Sequence, residues 1–255
     1  MVKEVEDWKD YVKVPDYSPK ELWEPPTKQV AEVNTDEVFR AVALMPGVFE
    51  RYHDLCGLTD GLMAFYESPD EAKGLLECIT DVELTIAENV CKYVKPELIF
   101  HHDDWGTQNS TFMNMDMFRE FIKPCYEQVY GYYKSHGVKI IVHHSDSFGE
   151  TLVPEMIDLG IDIWQGVLKN ANDIPKLIDE YGGQISFMGA IEDQEVDVAD
   201  WTEDSVKKIV RESIDIVGPR NYFIPCITQG APASLFDGVY DAVTKTIAEK
   251  SREDF

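Results

Sequence analysis

From Pro96 onward the chain repeats one pattern, a short apolar run followed by a longer amphipathic one. That alternation is what strand and crossover-helix units require, so it restricts the fold to the α/β class. The apolar runs are residues 97–104 (ELIFHHDD), 138–146 (VKIIVHHSD), 161–166 (IDIWQG), 184–192 (QISFMGAIE) and 221–227 (NYFIPCI). The helical runs between them stop at Gly137, Gly160, Gly182 with Gly183, and Gly218 with Pro219, all good helix terminators. No glycine-rich dinucleotide fingerprint follows any strand, so the units fit a TIM (β/α)8-type barrel better than an open doubly wound sheet.

Upstream, residues 41–46 (AVALMP) add a strand candidate, and Ser68, Pro69 and Glu71 read as the capping box of a helix running to about Tyr93. Residues 1–35 combine Trp8, Tyr11, Tyr17 and Trp23 with Pro15, Pro19, Pro25 and Pro26, which predicts an N-terminal arm with aromatic anchors. Residues 36–255 form the barrel domain in this reading. Only six or seven strands can be counted, so the barrel is expected to be incomplete at its N-terminal end, with exposed strand edges hidden in a homo-oligomer.

Charge and cysteine usage narrow the function. The chain carries 48 acidic and 23 basic residues, a net charge of -25, which repels nucleic acid and anionic membrane surfaces. No run of 18 apolar residues occurs and the amino terminus is charged, so a cytoplasmic protein is expected. The five cysteines, an odd number without close pairs, argue against a disulfide framework.

Strand ends carry the chemistry. The residues there are His101, His102, Asp103 and Asp104; His143, His144 and Asp146; Trp164 and Gln165; Glu192; and Cys226 with Thr228 and Gln229. In a barrel such ends converge on one mouth. Imidazole, carboxylate and thiolate are zinc donors, and His144 and Asp146 alternate with Ser145, which makes them a ligand pair that Cys226 could complete. Asp103 and Asp104 are adjacent, so one faces inward, and alternation favours Asp104. No arginine ends a strand, which disfavours a polycarboxylate or phosphorylated substrate.

The segments HHDDWGTQNSTFMNMDMFREFIKP, HGVKIIVHHSDSFGETLVPEMIDLGIDIWQG and ISFMGAIEDQ, with the closing strand bearing Cys226, resemble the uroporphyrinogen decarboxylase superfamily. The likeness is closer to its corrinoid-dependent methyltransferases than to its decarboxylases, and the chain looks shortened at the amino end. The resemblance implies a TIM barrel that takes a methyl donor or acceptor while a separate corrinoid protein docks over the mouth. In methyl-transferring members a His-x-Cys pair and a later cysteine bind zinc, positions that correspond to His144, Asp146 and Cys226. Aspartate thus replaces the first cysteine, and a glutamate ligand of some members would fall near Val167. A harder donor set suits an oxygen-containing methyl donor.

The expected activity is therefore zinc-assisted methyl transfer between a small substrate, such as an O-methyl ether, and a partner's corrinoid. Asp104 and His144 are the expected catalytic residues, with His102, Trp105, Gln108, Trp164, Gln165 and Glu192 binding substrate. No Asp-x-His-x-x-Gly corrinoid-ligand pattern occurs, which assigns the corrinoid to the partner. A decarboxylase or a non-catalytic degenerate subunit are the rival readings.

Overall fold

The computed structural model describes residue 2 and residues 4–254. Among them are six strands, β1 (Ala41–Leu44), β2 (Leu98–His102), β3 (Ile140–His144), β4 (Ile163–Val167), β5 (Ser186–Ile191) and β6 (Phe223–Ile227). The pairs β1–β2, β4–β5 and β5–β6 are parallel, and parallel neighbours need the helical crossovers that the amphipathic runs supply. This is the α/β class with the strand and helix alternation of a partial TIM barrel, and each strand falls where an apolar run was read.

The chain divides into two compact units, one of Met1–Trp105, Phe112–His143 and Asp158–Ile161, the other of Gly106–Thr111, His144–Ile157 and Asp162–Phe255. The first unit contains α1 (Trp8–Tyr11), α2 (Glu24–Val30), α3 (Val48–Cys56), α4 (Leu58–Glu67), α5 (Pro69–Asn89), α6 (Met115–Met117) and α7 (Lys123–Ser135). Helix α5 buries Ala72, Leu75, Leu76, Ile79, Glu83, Ile86 and Ala87, a stripe at three- and four-residue spacing. In α7 the same spacing buries Cys125, Tyr126, Val129, Tyr130 and Tyr133. The rings of Phe65 and Phe121 stack with centroids 4.2 Å apart.

The N-terminal arm is part of this unit. Val2 and Val5 are buried, and the Val2 amide donates to Leu55 O at 2.7 Å. The Trp23 indole donates to Tyr17 O at 2.8 Å, so that aromatic anchor closes the arm on itself. One expectation fails here. Pro69 opens α5, but the Ser68 hydroxyl donates to the Glu6 carboxylate instead of capping the helix. A charged acceptor supplied by the arm outcompetes the local geometry.

The second unit contains α8 (Val153–Asp158, its last residue excepted), α9 (Ile174–Tyr181), α10 (Asp193–Val196), α11 (Glu203–Val217) and α12 (Val239–Asp254). Its core gathers Ile191, Val196, Val206, Val210, Ile214, Ile227, Val239 and Val243. Thr202 and Ser205 cap α11 reciprocally at 3.1 and 2.9 Å. Helix α12 begins at Val239, and before it the hydroxyl and amide of Ser234 are taken by a turn with Ala231. No helix of the described residues is long and apolar enough to cross a membrane.

Candidate active site

In the first unit the end of β2 separates its residues by side. His101 is fully buried against the rings of Tyr126 and Tyr130, and burial pushes its imidazole down to about 3. His102 is 22% exposed, with Nε2 at 3.4 Å from Glu50 Oε1 and 3.7 Å from Asp104 Oδ2. The neighbouring Asp104 carboxylate and the charge of Glu50 raise the His102 pKa above its ordinary value against the cost of burial. Burial, with Asp103 and Asp104 nearby, pushes Glu50 up to about 7.

Asp103 is completely buried and serves the N-terminus of α3. Its carboxylate accepts from Phe49 N (3.0 Å), Glu50 N (2.8 Å), Trp105 Nε1 (2.8 Å) and the Tyr126 hydroxyl (2.6 Å). The Tyr126 oxygen in turn accepts from Val48 N at 3.0 Å. Three helix N–H groups that no intrahelical carbonyl can reach are thereby satisfied, and the anion sits at the positive end of the helix. Gly47 permits the close approach, because a Cβ there would lie 2.4 Å from Asp103 Cβ. Asp103 orients backbone, and Asp104 is left 27% exposed.

The second unit holds His144, Gln165 and Cys226. The main-chain oxygens of Ile227 and Thr228 accept from Gln165 Nε2 at 3.3 and 3.0 Å. Carbonyls cannot donate, so the amide orientation is fixed and Gln165 Oε1 faces His144 Nδ1, with which it is hydrogen-bonded. Nδ1 therefore carries the proton, and Nε2 presents the lone pair that metal-binding imidazoles use. Burial pushes the Cys226 thiol up to about 11, while Gln165 opposes the shift, and its Sγ donates to Ile227 O at 3.1 Å.

In the first unit His102 and Asp104 offer an imidazole nitrogen and a carboxylate oxygen 3.7 Å apart, and in the second His144 offers an imidazole nitrogen. Imidazole and carboxylate are groups that zinc accepts, and the Gln165 contact supplies the partner that orients a ligating histidine. Asp146, also in the second unit, is half-buried.

The other expected site residues are placed differently. Trp105 and Trp164 are buried, with 1% and 0% exposure, and Trp164 Nε1 donates to Ser145 O at 2.9 Å. Both indoles are core groups with engaged N–H donors. Glu192, also buried, accepts from Asn170 N, Asn170 Nδ2 and Gln194 Nε2 at 2.8–2.9 Å, which ties the loop after β4 to the end of β5. Gln108 is exposed on the segment Gly106–Thr111.

The family model described as Uroporphyrinogen decarboxylase (URO-D) matches residues 52–226, more than half of the chain. The chain belongs to the URO-D family. Among solved structures it is similar to a methyltransferase from Methanosarcina mazei, with a TM-score of 0.70 and 17% identity over 94% of this chain and 68% of that one. No curated protein matches. At that identity the likeness speaks for the fold, which is the partial barrel described above. Of the residues gathered in this URO-D chain, Glu50 was missed by sequence reading. The available signal was an acid at the third position of a helix starting directly after strand β1 and Gly47.

Proposed function

We propose that this URO-D family chain is a methyltransferase that moves a methyl group between a small oxygen-bearing substrate and a corrinoid carried by a partner protein. The observation that carries the reading is His144, whose tautomer Gln165 sets for ligation. The methyltransferase fold of the structural neighbour supports it by analogy. The resemblance implies His144 as a zinc ligand together with Asp146 and Cys226. Zinc, when bound, supplies Lewis acidity at the substrate oxygen.

The chain's own groups then do the remaining work. His102 and Asp104 orient the substrate oxygen, and Asp104 hands a proton to it as the methyl–oxygen bond breaks. Cys226 keeps its proton at neutral pH unless a metal displaces it, because burial disfavours the thiolate. The decarboxylase reading draws less support. Arg40 donates to Val94 O and Lys95 O, and Arg51, Arg211 and Arg220 pair with Glu83, Glu253 and Asp179, so these cations already have partners within the chain. A substrate with several carboxylates would need such forks.

The test is metal analysis of anaerobically purified protein, followed by incubation with zinc, an aryl methyl ether and cob(I)alamin as corrinoid. One zinc per chain, lost in His144→Ala, with methyl-cobalamin formed in its presence, is the expected result. A protein that takes up no zinc, or that takes it up equally well without His144, refutes the reading.

A further inference from the structure

We propose that Asn172 is a positioning residue, a bracket that holds the loop bearing Asp146, the ligand that the resemblance implies beside His144. This rests on the reading above that the chain binds a metal, and every residue it invokes belongs to the second unit. A primary amide can donate two hydrogen bonds and accept two. Asn172 uses all four on main chain: Nδ2 donates to Ser147 O at 3.0 Å and Leu168 O at 3.1 Å, and Oδ1 accepts from Gly149 N at 2.9 Å and Glu150 N at 3.1 Å. Exchanging the nitrogen and oxygen would set donor against donor and carbonyl against carbonyl, so one orientation is fixed. The residue is itself held, 5% exposed, with its own N–H on Leu168 O at 3.0 Å and its carbonyl accepting from Ile174 N at 3.1 Å.

The near end of the loop is tied as firmly. Ser145 N donates to Gln165 O at 3.0 Å, and Ser145 O accepts from Trp164 Nε1 at 2.9 Å. The Ser145 and Ser147 hydroxyls, both buried, are hydrogen-bonded at 2.7 Å. Gly149 lies against the Trp164 indole, where a Cβ would meet Cζ2 at 2.8 Å. Ser145, Ser147 and Gly149 are thus buried, whereas Asp146, Phe148 and Glu150 between and beyond them stay half-buried. Asp146 therefore sits between two pinned neighbours, Ser145 held by β4 and Ser147 held by Asn172. Backbone fixed on both sides of a ligand keeps its carboxylate near the binding geometry before an ion arrives, so little loss of conformational entropy opposes binding. The polar atoms of Asn172 are all engaged by main chain, so its action on the site runs through the loop.

Asn172→Asp tests the bracket, because aspartate keeps an acceptor for Gly149 N and Glu150 N but cannot donate to Ser147 O. Zinc affinity of the full chain would be measured by chelator competition, and Co(II) substituted for zinc to record its d–d absorption. Asp146→Ala reports the loss of the ligand itself. Thr202→Ala, which removes the α11 cap in the same unit, controls for lost stability alone. The expected result for Asn172→Asp is a zinc affinity lower by about 10- to 100-fold, the size typical of an outer-shell partner, with a changed Co(II) spectrum. Asp146→Ala should lose at least as much, and Thr202→Ala should keep the wild-type affinity and spectrum. Wild-type affinity and spectrum in Asn172→Asp overturn the proposal while the metal reading stands. So does a loss that Asp146→Ala does not share, or one that Thr202→Ala matches. Wild-type protein that binds neither ion overturns both. Asn172→Gln, which carries the same groups on a longer stem, replaces the aspartate variant if that protein fails to fold, and the same measurements decide.

Discussion

Strands β2 and β3 each end in two consecutive histidines, and within each pair the two members have opposite fates. The first member is absorbed by the core: His101 against Tyr126 and Tyr130, His143 against Trp105 and hydrogen-bonded to the Tyr130 hydroxyl at 2.9 Å. The second carries ligand chemistry, but in contrasting surroundings. His102 is crowded by the carboxylates of Glu50 and Asp104, whereas His144 is governed by a neutral amide locked onto two carbonyls. Strand alternation decides which member of a pair is available, and the neighbours decide whether it is tuned by charge or by tautomer.

The charged side of this contrast depends most on Asp103. Asp103→Ala would leave two helix amides, an indole and a phenol without their buried acceptor, so a loss of about 3–5 kcal/mol is expected from urea denaturation. Unchanged stability would mean that the α3 N-terminus finds other partners and that the charged site is not built on Asp103.

Glu83 tests how heavily the first unit is burdened by charge. It is 1% exposed, pairs with Arg51 at 2.9 Å, and burial raises its pKa from 4.5 to about 7 against the pull of that arginine. The folded state therefore holds the proton more tightly than the unfolded state. The stabilisation is fully present below about pH 4.5 and is lost as pH rises through about 7, a change of about 3 kcal/mol. Glu83→Gln should remove that slope. His101, whose lowered pKa costs stability as pH falls below about 6.5, has Nε2 3.8 Å from Glu83 Oε2, so the two proteins are compared above about pH 6.5, where His101 is neutral in both. Parallel stability curves for the two proteins would refute a titrating Glu83.

On the neutral side the sharpest variant is Gln165→Ala. It frees His144 to take either tautomer and should weaken zinc binding by about 10- to 100-fold, or about 1.4–2.7 kcal/mol, alongside a loss of about 1–3 kcal/mol in stability from the buried groups left unpaired. Equal affinity would show that the amide does not set the imidazole.

The sequence makes strand positions legible because each is a dense apolar run closed by glycine, and the first histidine of each pair follows from alternation alone. Asp104, His102 and His144 were legible as strand-end donors for the same reason. What stayed hidden depends on chain segments remote in sequence. Ser68 turns to Glu6, 62 residues away, and Glu50 reaches His102 only because Asp103 seizes the helix that carries it. Trp105 and Trp164 look like site walls in the sequence because they sit beside polar strand ends. Their indole N–H groups, satisfied by Asp103 and Ser145 O, instead let the rings close into the core.

Gly166 probes the neutral side at the smallest scale. It interrupts the register of β4 on β5 between Gln165 and Val167, with φ at 90°, a conformation that L side chains rarely adopt. A Cβ there would stand 3.1 Å from both His144 Cε1 and Ser145 O, tight enough that the imidazole must give by a few tenths of an ångström. Gly166→Ala should therefore cost about 1–2 kcal/mol in backbone strain. It should also shift the His144 ring resonances in NMR, since the displacement falls on the Gln165 contact. If stability falls while those resonances stay fixed, the bulge only shapes the strand. If both move, the absent side chain at 166 is part of how His144 is aimed.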